Sequence, residues 1–497
     1  MSRTLETAGQ PVKLKRIAID PLTRVEGHGK VTLLQDEDNH IHQARLHIVE
    51  FRGFEKFIQG RPYWELPVVV QRLCGICPVS HHLAAAKACD QLVGASQLTP
   101  TAEKIRRLMH FGQILQSHAL HFFHLASPDL LFGFDDAVAH RNIIGLIQDY
   151  PDLARQGILL RKFGQEVIRI TSGKRIHGTL AVPGGVNKSL SRGQRAHLQQ
   201  DVAQIVAWGQ GAVELMRRIY LEQPAYHREF ASIHSSMLSL LDEQGAFELY
   251  DGRLQAIDGN GEIIFDRLKC EDYRTHLHEE VKSWSYMKFP FIVALGPEEG
   301  WYRVGPLARV NNCRYFTTPL AEQERQRFSE LNPGRPVQAT LAYHWARMIE
   351  LLHCAEAIEA LLQDDDLLGG ELINRGTLQN HGIGVLEAPR GTLFHDYEID
   401  DDGLVTRANL IVSTTNNNQA MNESIRQVAN RYLDGNQITE PMLNQIEVAI
   451  RAYDPCLSCA THALGRMPLE IELIDSQGKP LDRLRKDGSG RFLRGDG

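Results

Sequence analysis

Hydrophobic residues along this chain recur mainly with the three- and four-residue spacing of amphipathic helices. Helical patterns cover about 78–93, 101–126, 136–172, 190–222, 320–363, 416–433 and 440–452. Alternating patterns predict strands within 14–50, near 245–266, within 380–415 and at Leu469–Ile474, with turns at Asp38-Asn39 and Asp402-Gly403. The hydrophobic pattern therefore predicts a predominantly helical α+β protein that forms a single unit.

Composition narrows the function classes. The 497 residues carry a net charge of −7, which argues against a nucleic-acid-binding protein and against a polybasic membrane surface. No run approaches the roughly 18 apolar residues that are needed to span a bilayer. The first ten residues are polar and lack the apolar core of a secretory signal. We therefore expect a cytoplasmic protein, or one exported together with a signal-bearing partner.

The eight cysteines are too sparse for a disulfide scaffold. Four of them form two Cys-x-x-Cys pairs, Cys74-Gly-Ile-Cys77 and Cys456-Leu-Ser-Cys459. The remaining four are isolated, and we expect them to be buried free thiols: Cys89, Cys270, Cys313 and Cys354.

Two such pairs provide four sulfur ligands, a set that suits zinc, an iron–sulfur cluster or another soft transition metal. A structural zinc ribbon usually places its pairs about 15–20 residues apart, whereas these pairs lie near opposite ends of the chain. A site built from both pairs would sit inside a large core. Spacing alone leaves a thiol redox pair and chance occurrence open beside metal binding.

The flanking residues are far more specific than the spacing. The two cysteine pairs lie within Arg72-Leu-Cys-Gly-Ile-Cys-Pro-Val-Ser-His81 and Asp454-Pro-Cys-Leu-Ser-Cys-Ala-Thr-His462. Further motifs occur in order along the chain: Asp20-Pro-Leu-Thr-Arg-Val-Glu-Gly-His28, Arg52-Gly-Phe-Glu55, His177-Gly-x4-Pro-Gly-Gly185 and Glu387-Ala-Pro-Arg-Gly391. Together these motifs closely resemble those of the large, catalytic subunits of nickel–iron hydrogenases.

This resemblance implies a fold, a division of the chain and a reaction. The fold would be that of a hydrogenase large subunit, with a long-helix core and small peripheral sheets. Residues 1–462 would form one catalytic unit, and 463–497 a C-terminal extension that is removed on maturation. The reaction would be the reversible heterolytic cleavage of H2 into protons and electrons.

The resemblance also assigns the metal ligands. Cys74 and Cys456 would be terminal nickel ligands, while Cys77 and Cys459 would bridge nickel and iron. The iron of this family also carries cyanide and carbon monoxide, which protein side chains cannot supply. His81 lies four residues after Cys77, where it could hydrogen-bond a bridging sulfur and tune it.

Further residues around the centre follow from the same motifs. Arg390, a permanent cation, resembles the arginine above the open coordination position, with Asp129 and Asp454 as acidic companions. Pro389 belongs to the same motif and is expected to line the bound centre. Two hydroxyl residues occupy the positions that hydrogen-bond a cyanide, Ser413 and Thr414.

Two more assignments concern protons and a second metal. Glu26 resembles the first proton acceptor beyond the Cys456 thiolate, work that suits a buried carboxylate with a raised pKa. Glu55, His462 and the backbone carbonyl of Leu410 would hold a magnesium ion. Oxygen ligands suit magnesium, but a histidine nitrogen is unusual for it, so this assignment follows from the resemblance alone.

The electrons released from H2 must leave the chain. Its four isolated cysteines lack the spacing of an iron–sulfur cluster site, so this chain has no cluster to receive them. An iron–sulfur small subunit is therefore expected. The cysteine flanks and the segment Val304-Gly-Pro-Leu-Ala-Arg-Val310 look most like the cytoplasmic NAD-linked bidirectional group, whose diaphorase subunits carry flavin and NAD. Nickel-insertion chaperones and a maturation endopeptidase, which would cut after His462, complete the expected partners.

Other functions remain to be distinguished from this one. Hydrogenases linked to F420 or to a disulfide reductase share much of the pattern. A hydrogen-sensing regulatory protein would use the same site but typically lacks a cleavable extension. A quinone oxidoreductase related to respiratory complex I shares this ancestry, but it normally lacks the four cysteines.

Overall fold

The computed structural model describes residues 15–35, 40–95, 97–282, 284–433, 439–462, 469–474, 480–486 and 492–494. The predicted turn at Asp38-Asn39 lies outside these residues. No helix in the described part of the chain is long and apolar enough to cross a membrane.

Helices dominate the architecture, and all seven predicted helical regions contain them. The α-helices are Phe54–Phe57, Leu66–Val69, Pro78–Leu92, Pro100–Leu120, Ser127–Phe132, Ile143–Asp149, Pro151–Ser172, Arg192–Gln199, Val202–Glu222, Pro224–Glu229, Gly296–Glu299, Pro306–Asn312, Pro319–Ser329, Ala342–Leu361, Ser413–Asn416, Asn418–Tyr432 and Glu440–Ala452. The 101–126 region ends in a π-helix, His121–Ala126. The prediction for 440–452 is confirmed with both ends correct.

Three of the predicted helical regions are not continuous helices, because each is divided into two. In the 136–172 region, Asn142 caps a short helix by accepting hydrogen bonds from Ile144 N and Gly145 N, and Pro151 begins a second helix. The 190–222 region breaks after Gln199. The 320–363 region breaks over 330–341, which contains Pro333-Gly334. Proline cannot continue a helix, because its nitrogen has no hydrogen to donate.

The sheets are small. Antiparallel sheets are formed by Lys15–Ile19, Gly29–Gln35 and Ile41–Ile48, by His381–Ala388, Gly391–Ile399 and Val405–Ile411, and by Leu469–Ile474, Pro480–Lys486 and Phe492–Arg494. A four-stranded sheet has the order Tyr302–Arg303, Ser236–Leu241, Arg253–Ile257 and Ile263–Leu268. Two-stranded pairs are Ala181–Val182 with Gly185–Val186, and Leu277–Glu280 with Phe289–Ile292. The strands predicted near 245–266 therefore begin earlier, at Ser236, and 242–252 is a turn segment.

One helix–strand contact brings the first cysteine pair to the site. The alanine-rich helix Pro78–Leu92 lies across the strand His381–Ala388. A Cβ at Gly384 would lie 1.9 Å from Ala84 O, and one at Gly382 would lie 2.2 Å from Ala88 O. Only glycine permits this approach, so these two positions let the helix lie directly on the hairpin that carries Arg390.

Candidate metal centre

The first cysteine pair is held by local backbone geometry. Cys74 follows the short 3-10 helix Val70–Leu73, and Cys77 precedes the helix Pro78–Leu92. The amides of Ile76 and Cys77 both donate to Cys74 Sγ, at 3.3 and 3.1 Å. This turn directs two sulfurs to one point, and Sγ of Cys77 lies 2.9 Å from that of Cys74.

The second pair completes the set from the other end of the chain. Cys456 Sγ lies 2.8 Å from Cys459 Sγ and 3.4 Å from Cys74 Sγ, while Cys77 and Cys459 are 3.7 Å apart at their sulfurs. All four sulfurs lie within 4.8 Å of one another, and all four residues are buried. Among the described residues this is the only group of three or more His, Cys, Asp or Glu side chains that could hold a metal ion. Four converging buried sulfurs fit a soft transition-metal centre.

Burial and mutual hydrogen bonding divide the thiols into two classes. Hydrogen bonds from Cys456 and Cys459 lower the pKa of Cys77 to about 6. Burial raises the pKa of Cys74, but hydrogen bonds from the other three sulfurs outweigh it and lower that pKa. Burial raises the pKa of Cys456 and of Cys459 well above the usual range. The first pair is therefore the more readily ionised, and thiolate is the form that binds metal.

Glu26 connects the N-terminal segment to the second pair. Cys456 Sγ donates to Glu26 Oε2 at 3.0 Å, and Ser458 N donates to the same oxygen at 3.1 Å. Leu457 N donates to the Glu26 carbonyl at 3.0 Å. The next residue, Gly27, has φ of 85°, and a Cβ there would lie 2.7 Å from Ser458 N. A glycine is therefore required for the two segments to meet.

Arg390 occupies the turn between the strands His381–Ala388 and Gly391–Ile399. Its Nε donates to Asp454 O, its Nη2 to Asp454 Oδ1 at 3.1 Å, and its Nη1 to Ser117 Oγ at 3.5 Å. Burial lowers the pKa of Arg390, but the charges of Asp454 and of the cysteine sulfurs outweigh burial, so its pKa is raised and the cation persists. Burial raises the pKa of Asp454, although Arg390 opposes that shift. Asp454 Oδ2 is buried and has no hydrogen-bond partner among the described residues.

The structure shows no ion pair between Asp129 and Arg390 in the described part of the chain. Its carboxylate instead contacts Arg24 Nη2 at 2.6 Å and Arg451 Nη1 at 3.0 Å, and Asn444 Nδ2 donates to it at 3.3 Å. Arg141 Nε lies 3.4 Å from the same carboxylate, so three other guanidinium groups balance its charge. Arg451 precedes Asp454 by three residues, so Asp129 braces the segment that leads to the second cysteine pair.

The other predicted residues around the sulfurs are also buried. Thr414 Oγ1 accepts a hydrogen bond from Cys456 N at 2.9 Å, and Ser413 precedes it at the start of the helix Ser413–Asn416. The Pro389 carbonyl accepts from Arg309 Nη2 at 3.3 Å. His81 lies in the first turn of Pro78–Leu92, with its Nδ1 3.0 Å from His395 Nε2.

Sequence reasoning missed Arg309, which lies beneath Arg390. This guanidinium makes a two-point ion pair with Glu350, at 2.6 and 2.7 Å, and contacts Glu387 Oε2 at 2.7 Å. It also donates to the carbonyl of Ala388 at 3.0 Å. Arg309 therefore holds the backbone immediately before Arg390. It lies in the segment 304–310, which the motifs single out, but its partners come from distant elements that no local pattern reveals.

The residues expected to hold magnesium are buried as well. Glu55 Oε1 accepts a hydrogen bond from Leu410 N at 2.9 Å and contacts Lys288 Nζ at 2.8 Å. Lys288, which sequence reasoning missed, also contacts Glu279 Oε2 at 3.2 Å. Burial lowers the pKa of His462 to about 3, and neither of its ring nitrogens has a hydrogen-bond partner among the described residues. A buried carboxylate and a neutral imidazole with unused nitrogens suit a cation ligand set.

The four isolated cysteines are free thiols, as predicted, but the predicted burial is confirmed for only three of them, because Cys270 is half-buried. Burial raises the pKa of each: Cys89, Cys270, Cys313 and Cys354. None of them belongs to the four-sulfur cluster.

Comparison with known proteins shows which family this chain resembles. The family model described as "Nickel-dependent hydrogenase" matches residues 52–134 and 241–462, and a second model, "HoxL-like", matches 16–51. The beta subunit of the NAD-reducing hydrogenase HoxS of Cupriavidus necator is 47% identical over 94% of this chain and 99% of its own length. A chain of the F420-non-reducing hydrogenase of Methanothermobacter thermautotrophicus is 41% identical over 94% of this chain and 100% of its own.

Solved structures confirm the predicted fold class. A crystal structure of an NAD+-reducing NiFe hydrogenase in the H2-reduced state is 59% identical, with a TM-score of 0.88, covering 90% of this chain and 99% of that one. The Ni-Fe-Se hydrogenase of Desulfovibrio vulgaris Hildenborough is 23% identical, with a TM-score of 0.73, over 90% of this chain and 100% of its own. The second likeness concerns the fold alone.

Proposed function

Because this chain belongs to the nickel-dependent hydrogenase family, we propose that it is the catalytic large subunit of an H2:NAD+ oxidoreductase. The observation that carries the proposal is the buried set of four sulfurs, one of which is hydrogen-bonded to Glu26, together with the buried Arg390 cation that interacts with their charges. The relative from Cupriavidus necator, which matches over nearly its whole length, supports NAD as the final acceptor.

Cys74, Cys77, Cys456 and Cys459 would hold a nickel–iron centre whose iron carries cyanide and carbon monoxide. When bound, this centre supplies the heterolytic cleavage of H2. Ser413 and Thr414, on the helix beside Cys456, would line the cyanide side of the centre. Arg390 presents a fixed cation to the reacting gas, and its bonds to Asp454 hold it in place.

The proton would leave through Glu26. Its carboxylate lies within hydrogen-bond distance of Cys456 Sγ and accepts from that sulfur directly. Ser458 N donates to the same oxygen and fixes its position. A direct hydrogen bond between donor and acceptor is the geometry that general acid–base catalysis requires.

The second metal would lie near Glu55 and His462, with the carbonyl of Leu410 as a third ligand, and we propose magnesium. The unused ring nitrogens of His462 and the carboxylates of Glu55 and Glu279 support a cation in this region. The Lys288 ammonium pairs with both carboxylates.

The partners follow from electron flow. The four isolated cysteines cannot form a cluster site in this chain, since none joins another in the described residues. Electrons would pass to an iron–sulfur small subunit, and from there to diaphorase subunits that carry flavin and NAD. Use of the NAD pool would place the complex in the cytoplasm.

We also propose that the segment after His462 is removed by an endopeptidase once dedicated chaperones have inserted nickel. Thr461 and His462, the last two residues before the proposed cut, are buried. Mass spectrometry of the active enzyme tests this directly. A large subunit that still ends at Gly497 would refute the cleavage.

The decisive experiment combines composition, spectroscopy and turnover. The purified complex should contain nickel and iron, show cyanide and carbonyl stretches in the infrared, and reduce NAD with H2. Stoichiometric zinc without those bands would end the proposal. A metal-loaded complex that binds H2 but turns over with no acceptor would instead indicate a hydrogen sensor.

A further inference from the structure

Two buried glutamines contact the turn within the first cysteine pair. Gln113 and Gln116 are three residues apart on the helix Pro100–Leu120, so their side chains lie on the same face of that helix. Gln113 Nε2 donates to the carbonyl oxygen of Ile76 at 2.9 Å, and Gln116 Nε2 donates to the same oxygen at 3.1 Å. The exposed fraction is 0% for Gln113 and 6% for Gln116. A carbonyl oxygen has two lone pairs, so the two glutamines occupy both of them.

The peptide unit that these glutamines hold also reaches a sulfur. The Ile76 carbonyl and the Cys77 N–H belong to one peptide unit, which is trans, so they point in opposite directions. The Cys77 N–H donates to Cys74 Sγ at 3.1 Å. The glutamines therefore hold one end of a peptide unit whose other end is directed at a proposed nickel ligand.

Hydrogen-bond accounting fixes the orientation of the Gln113 amide. If this amide were rotated by half a turn, its Oε1 would face the Ile76 oxygen, and two acceptors cannot form a hydrogen bond. In the observed orientation Gln113 Oε1 is buried and has no hydrogen-bond partner among the described residues. An unpaired buried acceptor is unfavourable for folding. This arrangement favours a role of Gln113 at the cysteine turn over a general contribution to stability.

We propose that Gln113 and Gln116 are positioning residues of the metal centre, which orient the Ile76–Cys77 peptide so that its N–H bonds to Cys74 Sγ. This inference rests on the proposed function, in which Cys74 is a terminal nickel ligand. Hydrogen bonds accepted by a carbonyl polarise the N–H of the same peptide unit and strengthen it as a donor. A hydrogen bond to a ligating sulfur withdraws charge from it, which raises the reduction potential of the metal. The two glutamines therefore act on nickel without touching it.

The double variant Gln113→Leu with Gln116→Leu, in the complete enzyme complex, removes both donors at similar side-chain size. We expect unchanged nickel and iron content and a midpoint potential of the nickel that is more negative than in the wild type, because Cys74 Sγ receives a weaker hydrogen bond. Each single variant keeps one donor, so its potential should lie between those two values. The cyanide and carbonyl stretches, followed during a redox titration, measure the potential.

Gln427→Leu is the matched control. Gln427 Nε2 also donates to a backbone carbonyl, that of Ser232 at 2.7 Å, and its Oε1 is likewise buried without a partner in the described part of the chain. Its potential should equal that of the wild type. An equal shift in this control would overturn the proposal, because the effect would then not depend on the cysteine turn.

The variants also decide the outcome if the double variant does not assemble. A negative shift in the single variants supports the proposal, and a wild-type potential in metallated variants overturns it. Loss of nickel and iron from both single variants would give the glutamines a purely structural role and would overturn it too. If the wild-type complex lacks cyanide and carbonyl bands, the proposed function fails and this inference fails with it, whereas unshifted variants beside a normal wild type reject this inference alone.

Discussion

The change from Glu26 to Gln isolates proton transfer from every other role of this residue. The side chain keeps its length, and the amide oxygen can still accept the hydrogen bond from Ser458 N, now 3.1 Å from Oε2. The backbone bond from Leu457 N to the Glu26 carbonyl is untouched. What is lost is the ability to take and release the proton of Cys456 Sγ, 3.0 Å away.

The expected magnitude follows from that loss. Positioned acid–base groups contribute about 10²–10⁴-fold to rates, which corresponds to about 2.7–5.4 kcal/mol of activation free energy. We expect kcat for H2 oxidation to fall within that range. The free energy of unfolding should change by less than about 1 kcal/mol, because one hydrogen bond is weakened and none is left unsatisfied.

Three measurements on one preparation test the reasoning. Nickel and iron content should match the wild type, H2-dependent NAD reduction should fall, and isotope exchange between D2 and water should fall in parallel, because exchange needs the same proton route. Glu229→Gln is the control, since Glu229 is exposed and pairs with Arg431. Near-normal exchange in a fully metallated Glu26→Gln enzyme would refute Glu26 as the required relay.

Three further changes probe the ligands, the support of the arginine and the packing. Cys77→Ser should abolish nickel and iron binding, whereas Cys354→Ser, at another buried cysteine, should retain both metals. Elemental analysis measures this, and metal retention by Cys77→Ser would contradict the ligand assignment. Arg309→Lys keeps the charge but loses the two-point contact with Glu350. It should lower kcat about tenfold (about 1.4 kcal/mol) at unchanged metal content. Unaltered kinetics would show that Arg309 does not support the turn that carries Arg390. Gly384→Ala places a Cβ 1.9 Å from Ala84 O, so thermal unfolding should show that the free energy of unfolding falls by about 1–3 kcal/mol. Wild-type stability would show that the helix Pro78–Leu92 can move away from the strand.

Local patterns predicted the elements better than their interruptions. The helix Glu440–Ala452 begins after Thr439 and has a regular apolar spacing, so both ends were predictable. The break at Pro151 was also visible in the sequence, yet the apolar spacing continues across it and masked the break. The strand Ser236–Leu241 is buried at every position and therefore lacks the alternation that identifies a half-buried strand.

The candidate site, too, could be predicted only in part from local sequence. Motifs around the cysteines and Arg390 identify residues whose chemistry depends on their own type and spacing. The sequence did not reveal the ion pairs of Asp129, because the fold brings Arg24 and Arg451 to it from distant positions. Such pairings depend on the tertiary fold, which a single sequence does not display.

The buried ion pairs around the centre have a consequence for how the site functions. Arg309 with Glu350 and Arg390 with Asp454 are almost fully removed from solvent. Pairs of this kind contribute little net stability, because desolvation offsets their attraction. Breaking one leaves an uncompensated buried charge, so each group is strongly held in its place. The arrangement therefore favours positional accuracy of the turn that carries Arg390 over stability of the fold.

Metal binding then supplies stability that the buried ion pairs and the buried thiols do not provide. The two cysteine pairs come from opposite ends of the chain, so the four-sulfur site exists only when both ends have folded onto the same core. Because a site of this kind is absent from the unfolded chain, the free energy of metal binding adds directly to that of folding. The raised pKa values of Cys456 and Cys459 mean that binding must also release protons. Metal loading should accordingly be tighter at higher pH and should stabilise the contact between the N-terminal segment and the second cysteine pair.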